Sequence, residues 1–178
     1  MNIMTIVAHP DLAVSKANKV FSKEQQKAGI YVHDLYDKYP DWRVDVQHEQ
    51  QLLLQHDRVV LQFPFYWYSC PPLLKKWFDD VFSFGWAYGP GGDKLKGKSF
   101  VIVTTIGGPE DQYASGGSNQ YTIREFLRPI ERTITRCGAR YLPPFATFDV
   151  SSLSEEELAQ QAKQCLDTIQ TPADLLVN

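Results

Sequence analysis

Short apolar segments alternate with amphipathic helical patterns along the chain, and this alternation limits the possible folds more than any other feature. Five segments have the length and apolar character of buried β-strands, at residues 2–8, 30–35, 58–63, 98–105 and around 146–148. The runs at 58–63 and 98–105 are predominantly apolar, which is typical of strands covered on both faces. The pattern therefore predicts an α/β protein whose parallel sheet has helices on both sides.

Helical patterns fill the segments between these strands, at 15–29, 46–54, 71–82, 119–137 and 154–169. Pro129 predicts a kink in the fourth, and Ser154 with Glu157 forms a capping box at the start of the last. Five strands joined in this way predict a flavodoxin-like doubly wound five-stranded parallel sheet in the order 2-1-3-4-5. A length of 178 residues suits one domain, so we expect residues 1–178 to form a single flavodoxin-like domain.

Composition excludes several classes of protein. With 18 basic and 21 acidic residues the net charge is −3, which predicts no attraction to nucleic acid. No apolar run approaches the roughly 18 residues of a spanning helix, and the first residues lack a signal-peptide pattern, so a cytoplasmic location is expected. Cys70, Cys137 and Cys165 are far apart, which indicates reduced thiols and no metal site.

Ligands of doubly wound sheets bind beyond the carboxyl ends of the strands, and here that places three loops together. The first puts Ser15, Lys16 and Asn18 at the start of a helix, where free amides favour a phosphate, although Ser15 as a simple N-cap is the alternative. The third contains Gly107 and Gly108, whose backbone is unobstructed, although glycine pairs also occur in ordinary turns.

The second loop is unusually aromatic. Residues 63–88 contain 11 of the chain's aromatic residues in 26 positions, against 12 in the other 152. Phe65, Tyr66, Trp67 and Tyr68 are consecutive, and four adjacent rings cannot all enter one core, so some line a cleft or an interface. An aromatic wall between phosphate donors and bare amides predicts a flavin site, with an aromatic oligomer interface as the alternative.

These segments resemble the bacterial NAD(P)H:quinone oxidoreductases of the DT-diaphorase type. Within that family the chain is most similar to the general stress proteins and to the ancillary quinone reductases of potassium efflux. The similarity covers about residues 1–150. It rests on Ala8-His9-Pro10, Ser15 with Asn18, residues 62–79, Phe84-Gly85-Trp86-Ala87-Tyr88-Gly89, and Thr104-Thr105 with Gly107-Gly108.

The resemblance implies FMN, or alternatively FAD, as cofactor, and a ping-pong transfer of hydride from NADH or NADPH to a quinone. The resemblance implies that the phosphate and ribityl chain of the flavin are held by His9, Ser15, Lys16, Ala17 and Asn18. The flavin ring would contact Phe65, Tyr66, Trp67 and Tyr68, and its pyrimidine edge would meet Thr105, Ile106, Gly107, Gly108 and Tyr113.

The resemblance also implies candidate catalytic residues, Tyr113 and Asn119. Related mammalian enzymes have a His six positions after the equivalent of Tyr113, and here that offset falls on Asn119, which hydrogen-bonds but cannot take up a proton. Negative charge on the flavin would then be stabilised by Tyr113, main-chain amides and solvent.

A homodimer is implied as well, with Trp86 and Tyr88 walling the partner's site. Two other functions use the same resemblance. One is a regulatory or ancillary subunit that docks on a glutathione-regulated potassium-efflux transporter in the membrane. The other is a nitro- or azo-reductase, which needs the same flavin chemistry.

Overall fold

A computed structural model describes residues 1–176 of the chain, and within that range six β-strands form one sheet. They are β1 (Ile3–Val7), β2 (Tyr31–Asp34), β3 (Arg58–Pro64), β4 (Ser99–Thr105), β5 (Arg140–Tyr141) and β6 (Phe145–Thr147). All the pairings between these strands are parallel. The order β2-β1-β3-β4-β5, with β6 also paired to β4, confirms the predicted flavodoxin-like doubly wound topology.

The strand predicted around residues 146–148 is β6, and the two-residue β5 is an additional strand, so the sheet has six strands and not the predicted five. β5 pairs with Ser99 and Phe100 at the start of β4, whereas β6 pairs with the last three residues of β4. Pro143 and Pro144 lie between them. Because proline has no N–H to donate, the ladder is interrupted there and resumes at Phe145.

The helices of the described range cover the sheet as predicted. They are α1 (Lys16–Lys27), α2 (Leu35–Lys38), α3 (Val46–Gln55), α4 (Pro72–Val81), α5 (Ile123–Phe126), α6 (Arg128–Arg136) and α7 (Glu155–Gln170). The Ser15 side chain caps α1, and Ser154 with Glu157 forms the predicted capping box of α7. None of these helices is long and apolar enough to cross a bilayer.

The helix predicted over 119–137 is shorter and divided. Thr122 and Glu125 form a capping box that starts α5, and α6 begins directly after Leu127. Pro129 lies in the first turn of α6, where its missing N–H leaves no hydrogen bond unmade. Asn119 is therefore in a loop and not on a helix.

The core consists of one layer on each face of the sheet. On one face, Phe21 of α1 and Cys165 of α7 pack against Val60 of β3. On the other face, Trp77 of α4 packs in the same cluster as Leu61 of β3. Successive residues of a strand point to opposite faces, so β3 is buried on both faces. A ligand can therefore bind only at the ends of the strands.

Candidate functional site

Thr105, the last residue of β4, is where the three predicted loops meet. Its Oγ1 accepts a hydrogen bond from Nδ2 of Asn18 in the first turn of α1 (2.8 Å), and its carbonyl oxygen accepts from the amide of Phe65 in the second loop (2.9 Å). The amide of Ala8 donates to the carbonyl oxygen of Gln62 (2.9 Å), joining the ends of β1 and β3. These contacts place the loops after β1, β3 and β4 around one crevice at the carboxyl edge of the sheet.

The first loop presents hydrogen-bond donors at the start of α1. Ser15 Oγ accepts from the amide of Asn18 (3.2 Å). The amides of Lys16 and Ala17 lie in the first turn, where a helix provides no intrahelical acceptor. Together with the helix dipole, these amides make the start of α1 suitable for an anion.

His9, earlier in the same loop, offers a further donor. Its Nδ1 accepts from the amide of Asp11 (3.1 Å), so in the neutral ring the proton is on Nε2. Burial lowers the pKa of His9 below its ordinary value of 6.5, although the hydrogen bond with Asp11 and the charge of Asp11 act in the opposite direction. The neutral ring lies with its centroid 6.5 Å from that of Tyr66.

The Lys16 side chain is directed away from the crevice. Its Nζ donates to the carbonyl oxygens of Leu153 (2.5 Å) and Ser151 (3.5 Å) in the loop before α7. The ammonium therefore ties α1 to that loop. Of the groups of Lys16, only the amide remains a candidate for binding a phosphate.

Trp67 and Tyr68 form the tip of a tight turn in the second loop. Tyr66 and Ser69 exchange two main-chain hydrogen bonds, and Trp67 and Tyr68 have φ values of +47° and +63°. Positive φ at both central positions is the type I′ turn, which favours Asn-Gly and strains larger residues. Trp67 is 92% exposed, so its ring belongs to no core. Strained backbone and exposed aromatic rings of this kind are often found at binding sites.

The rings of Phe65 and Tyr68 face the segment after β4. The ring centroid of Phe65 is 5.9 Å from that of Tyr113, and the centroid of Tyr68 is 5.0 Å from that of Phe126. These rings form a connected aromatic wall beside the crevice. Phe126 was not predicted as a site residue, and only its place in an apolar helical pattern pointed to it.

Ile106 does not reach the crevice. Its side chain is fully buried, its amide donates to the carbonyl oxygen of Thr147 (2.8 Å), and its carbonyl oxygen accepts from the amide of Val150 (3.2 Å). Ile106 therefore belongs to the core, and its amide is bonded to β6. The prediction that Ile106 contacts a ligand has no support from this arrangement.

Gly107 and Gly108 follow Ile106 and differ in their surroundings. A Cβ atom added to Gly107 would meet no atom within 4 Å. A Cβ atom on Gly108 would lie 2.9 Å from Oε1 of Gln112 and 3.3 Å from Cε2 of Tyr113. The backbone of Gly108 therefore lies directly against Tyr113, and that of Gly107 is exposed to a ligand.

Tyr113 and Asn119, the two predicted catalytic residues, have separate partners. Burial raises the pKa of Tyr113 above its ordinary value of 10, so its hydroxyl is protonated at neutral pH and can donate. Oδ1 of Asn119 accepts from the hydroxyl of Tyr68 (3.1 Å). The hydrogen bonds found within residues 1–176 include none between Tyr113 and Asn119.

The donor set of the crevice fits a flavin mononucleotide. Asn18 is 2% exposed, and its Oδ1 is buried with no hydrogen-bond partner in the described part of the chain. An unpaired buried acceptor costs about 1–3 kcal/mol, which a ligand hydroxyl would offset. Helix amides suit a phosphate, Asn18 Oδ1 suits a hydroxyl of the ribityl chain, and the aromatic wall with the exposed glycine backbone suits a flat heterocycle.

Two cavities flank the crevice. One of about 380 Å³ lies between α4 and α6, with Cys70, Phe78 and Arg136 among its lining residues. The other, of about 440 Å³, borders the first loop, and its lining includes Asp34 and Asp37 but neither Lys nor Arg. Neither of these two cavities is bounded by all three loops.

Comparison with known proteins identifies relatives over nearly the whole chain. A family model described as the flavodoxin-like fold matches residues 1–169. The uncharacterized NAD(P)H oxidoreductase YdeQ of Bacillus subtilis (strain 168) is 47% identical over 165 residues, which are 92% of this chain and 84% of that protein. The glutathione-regulated potassium-efflux system ancillary protein KefG of Pectobacterium atrosepticum is 43% identical over 171 residues, 96% of this chain and 93% of that one.

Solved structures are also similar. A chain described as a thermophilic tryptophan halogenase from Streptomycin violaceusniger has a TM-score of 0.92 and 44% identity, over 95% of this chain and 99% of that one. General stress protein 14 of Treponema denticola, in complex with FMN, has a TM-score of 0.90 and 38% identity, over 99% and 100%. An NADPH-quinone reductase from P. pentosaceus has a TM-score of 0.87 and 31% identity, over 97% and 99%.

Proposed function

The chain belongs to the flavodoxin-like family that includes NAD(P)H oxidoreductases, general stress protein 14 and KefG, and on this basis we propose that it is an FMN-dependent NAD(P)H:quinone oxidoreductase. The observation that carries the proposal is the crevice around Thr105, where Oδ1 of Asn18 is a buried acceptor with no partner among residues 1–176. The FMN complex of one structural relative and the quinone reductase name of another support it. From the chain described as a halogenase we carry over the fold alone, because the crevice fits a flavin and gives no reason to expect a halide.

The groups of the first loop would bind the phosphate end of FMN. The amides of Lys16 and Ala17, the Ser15 turn and Nε2–H of His9 are donors on one side of the crevice, and an anion is attracted to donors at a helix start. Asn18 Oδ1 would accept from a ribityl hydroxyl, and the Thr105 hydroxyl, which already accepts from Asn18, retains its proton for donation.

The acidic cavity beside the first loop supports FMN over FAD. Asp11, Asp34 and Asp37 line it together with His9, whose lowered pKa keeps it neutral at pH 7. A second phosphate and an adenosine placed there would meet like charge that no Lys or Arg of that lining offsets. A single phosphate held at α1 avoids this repulsion.

The third loop and Tyr113 would act on the ring. When bound, FMN would supply a carrier for two electrons and a proton, so that NADH or NADPH and the quinone react in separate half-reactions of a ping-pong cycle. The main-chain amides of Gly107 and Gly108 and the protonated hydroxyl of Tyr113 would stabilise negative charge at the pyrimidine edge. Phe65, Tyr66, Trp67 and Tyr68 would wall the ring and limit access of water.

A homodimer would explain the aromatic side chains that remain exposed. Phe84 is 68% exposed and its ring is T-shaped to that of Tyr88, 36% exposed, in the segment that also carries Trp86. Exposed apolar groups concentrated in this way indicate a contact surface. We propose that this segment, with Trp86 and Tyr88, closes the site of a second copy of the chain.

A second candidate function is that of an ancillary subunit of a potassium-efflux transporter, because KefG relatives are 43% identical over almost the whole chain. Flavin binding fits both functions, and quinone turnover separates an enzyme from a ligand-sensing subunit. A nitro- or azo-reductase would use the same site, and comparison of quinone, nitro and azo acceptors distinguishes these substrates.

The test is steady-state kinetics of the purified holoprotein with NADH or NADPH and a simple quinone. We expect oxidation of the nicotinamide that depends on both FMN and quinone, with parallel lines in double-reciprocal plots, as a ping-pong cycle requires. Tight FMN binding without quinone reduction would contradict the enzymatic proposal and favour the ancillary one. Intersecting lines would contradict the ping-pong cycle alone.

A further inference from the structure

A network of buried, hydrogen-bonded polar side chains lies beneath α1, in an otherwise apolar interface between that helix and the sheet. Thr5, Ser22, Gln25 and Gln62 are all at most 3% exposed. Thr5 Oγ1 donates to Oε1 of Gln25 (2.5 Å), and Nε2 of Gln25 donates to Oε1 of Gln62 (2.9 Å). Buried polar groups destabilise a protein unless they are hydrogen-bonded. These two bonds satisfy one another's groups and connect β1 to β3 through Gln25.

Gln62 connects this network to the first turn of α1. Its Nε2 donates to the main-chain carbonyl oxygen of Asn18 (2.9 Å) and to Oγ of Ser22 (3.0 Å). A main-chain carbonyl only accepts, so the Gln62 atom that faces it is the amide nitrogen, and Oε1 is then left to accept from Gln25. The chemistry of the partners therefore determines the orientation of both glutamine side chains.

Gln62 also lies at the point where the strand order reverses. Its main-chain carbonyl oxygen accepts from the amide of Ala8 at the end of β1, and the aromatic loop follows Gln62 along β3 within three residues. One residue thus connects the end of β1, the end of β3 and the turn of α1 that carries Asn18. The site residues predicted from sequence did not include it, although a polar residue in the run 58–63 was a signal.

We propose that Gln62 is a positioning residue for the flavin site, which holds the first turn of α1 at the distance from β3 that phosphate and ribityl binding requires. This inference rests on the proposed FMN-binding function. Gln62 does so through the Asn18 carbonyl, which fixes the place of the α1 amides and of Asn18 Oδ1. Gln25 stabilises the same interface but does not contact the ligand-facing turn, so its loss affects the fold and not the site.

The test compares Gln62→Met with Gln25→Met in thermal unfolding and in titrations of the protein with FMN. Both changes replace a buried glutamine by an apolar side chain of similar length, and we expect similar falls in Tm. Gln62→Met should raise the Kd for FMN about tenfold, whereas Gln25→Met should change it less than about twofold. Equal changes in Kd, or no change for Gln62→Met, would overturn the positioning role.

Gln62→Glu gives a second readout that does not depend on the methionine variant folding. Burial raises the pKa of a carboxyl group, and only its protonated form can donate to the Asn18 carbonyl. The ratio of the FMN Kd of Gln62→Glu to that of wild type at the same pH should therefore approach one as the pH is lowered from about 8.5 to about 6, the ratio removing the titration of the FMN phosphate itself. A pH-independent loss would contradict the inference, and wild-type protein that binds no FMN would overturn the proposed function together with it.

Discussion

The hydroxyl of Tyr68 donates to Oδ1 of Asn119 over 3.1 Å, joining the aromatic second loop to a segment 51 residues further along the chain. The sequence resemblance aligns Asn119 with a proton-accepting His of mammalian enzymes. An amide is not basic and Oδ1 already accepts from Tyr68, so we propose that Asn119 holds the aromatic wall and takes no proton from Tyr113. Stabilisation of charge at the ring edge would then fall to Tyr113 and the glycine amides.

Replacement of Tyr113 by Phe tests this division of roles. Tyr113→Phe removes one donor from the crevice, so we expect hydride transfer from NADH to slow about tenfold or more while FMN affinity changes little. Because the pKa of Tyr113 is raised by burial, the wild-type rate should show no loss from its ionisation below about pH 10. Stopped-flow measurement of flavin reduction checks both, with Tyr121→Phe as control, and an unchanged rate would remove Tyr113 from the mechanism.

The strained turn at Trp67 predicts a conflict between stability and activity. Trp67→Asn suits the positive φ and should raise the free energy of unfolding by about 1 kcal/mol, because the left-handed backbone strains a tryptophan. Loss of the ring should lower quinone reduction severalfold. Trp42, also at positive φ and outside the three loops, is the matched control, and Trp42→Asn should leave turnover unchanged. Full activity of Trp67→Asn would show that the aromatic tip serves another purpose.

His9 and Lys16 were both predicted to hold the phosphate, and the structure separates them. His9→Ala should weaken FMN binding about tenfold, because it removes a donor of the first loop. Lys16→Met should weaken it less than about threefold, because Nζ is engaged by the carbonyls of Leu153 and Ser151. Fluorescence titration with FMN measures both, and a larger loss for Lys16→Met would mean that its ammonium turns to the phosphate on binding.

The buried carboxylate of Glu49 predicts an effect on stability away from the site. It accepts from Nε2 of His33 (2.8 Å), the hydroxyl of Tyr39 (2.6 Å) and Nε1 of Trp77 (2.8 Å). Glu49→Gln places an amide against these donors and should lower the free energy of unfolding at neutral pH by about 3 kcal/mol, measured in urea. Glu24, partly exposed and paired with the exposed Lys27, is the control, and Glu24→Gln should cost less than about 0.5 kcal/mol.

The pH dependence of the Glu49 variant follows from the direction of its pKa shift. Burial would raise the pKa of Glu49, but the hydrogen bond and charge of His33, with the hydrogen bonds of Tyr39 and Trp77, outweigh it, so the pKa is lowered below 4.5. A lowered pKa contributes stability that is present above 4.5 and lost as the pH falls through the folded value. The difference between wild type and Glu49→Gln should therefore shrink in acid, and a constant difference would contradict the assignment.

The sheet order followed from the sequence because apolar strands and amphipathic helices alternate with regular spacing. Connections between parallel strands are right-handed, so few topologies are possible. The presence of β5 did not follow, because a strand of two residues before Pro143 and Pro144 is too short to form an apolar strand pattern. Loop positions followed from the topology, so His9, Asn18 and Thr105 were placed correctly at the edge of the sheet. Side-chain directions did not follow: pattern alone cannot show that Ile106 turns into the core, that Lys16 reaches the loop before α7, or that Gln62 contacts Asn18.

Flavin binding at the crevice is measured by an equilibrium titration of the flavin-free protein with FMN, followed by quenching of flavin fluorescence. We expect one FMN per chain with a Kd below about 10 μM, and affinity about tenfold or more weaker in Asn18→Ala, which removes the buried acceptor and the bond to Thr105. Absence of saturable binding, or binding with the same affinity in Asn18→Ala, would show that the crevice around Thr105 is not the flavin site.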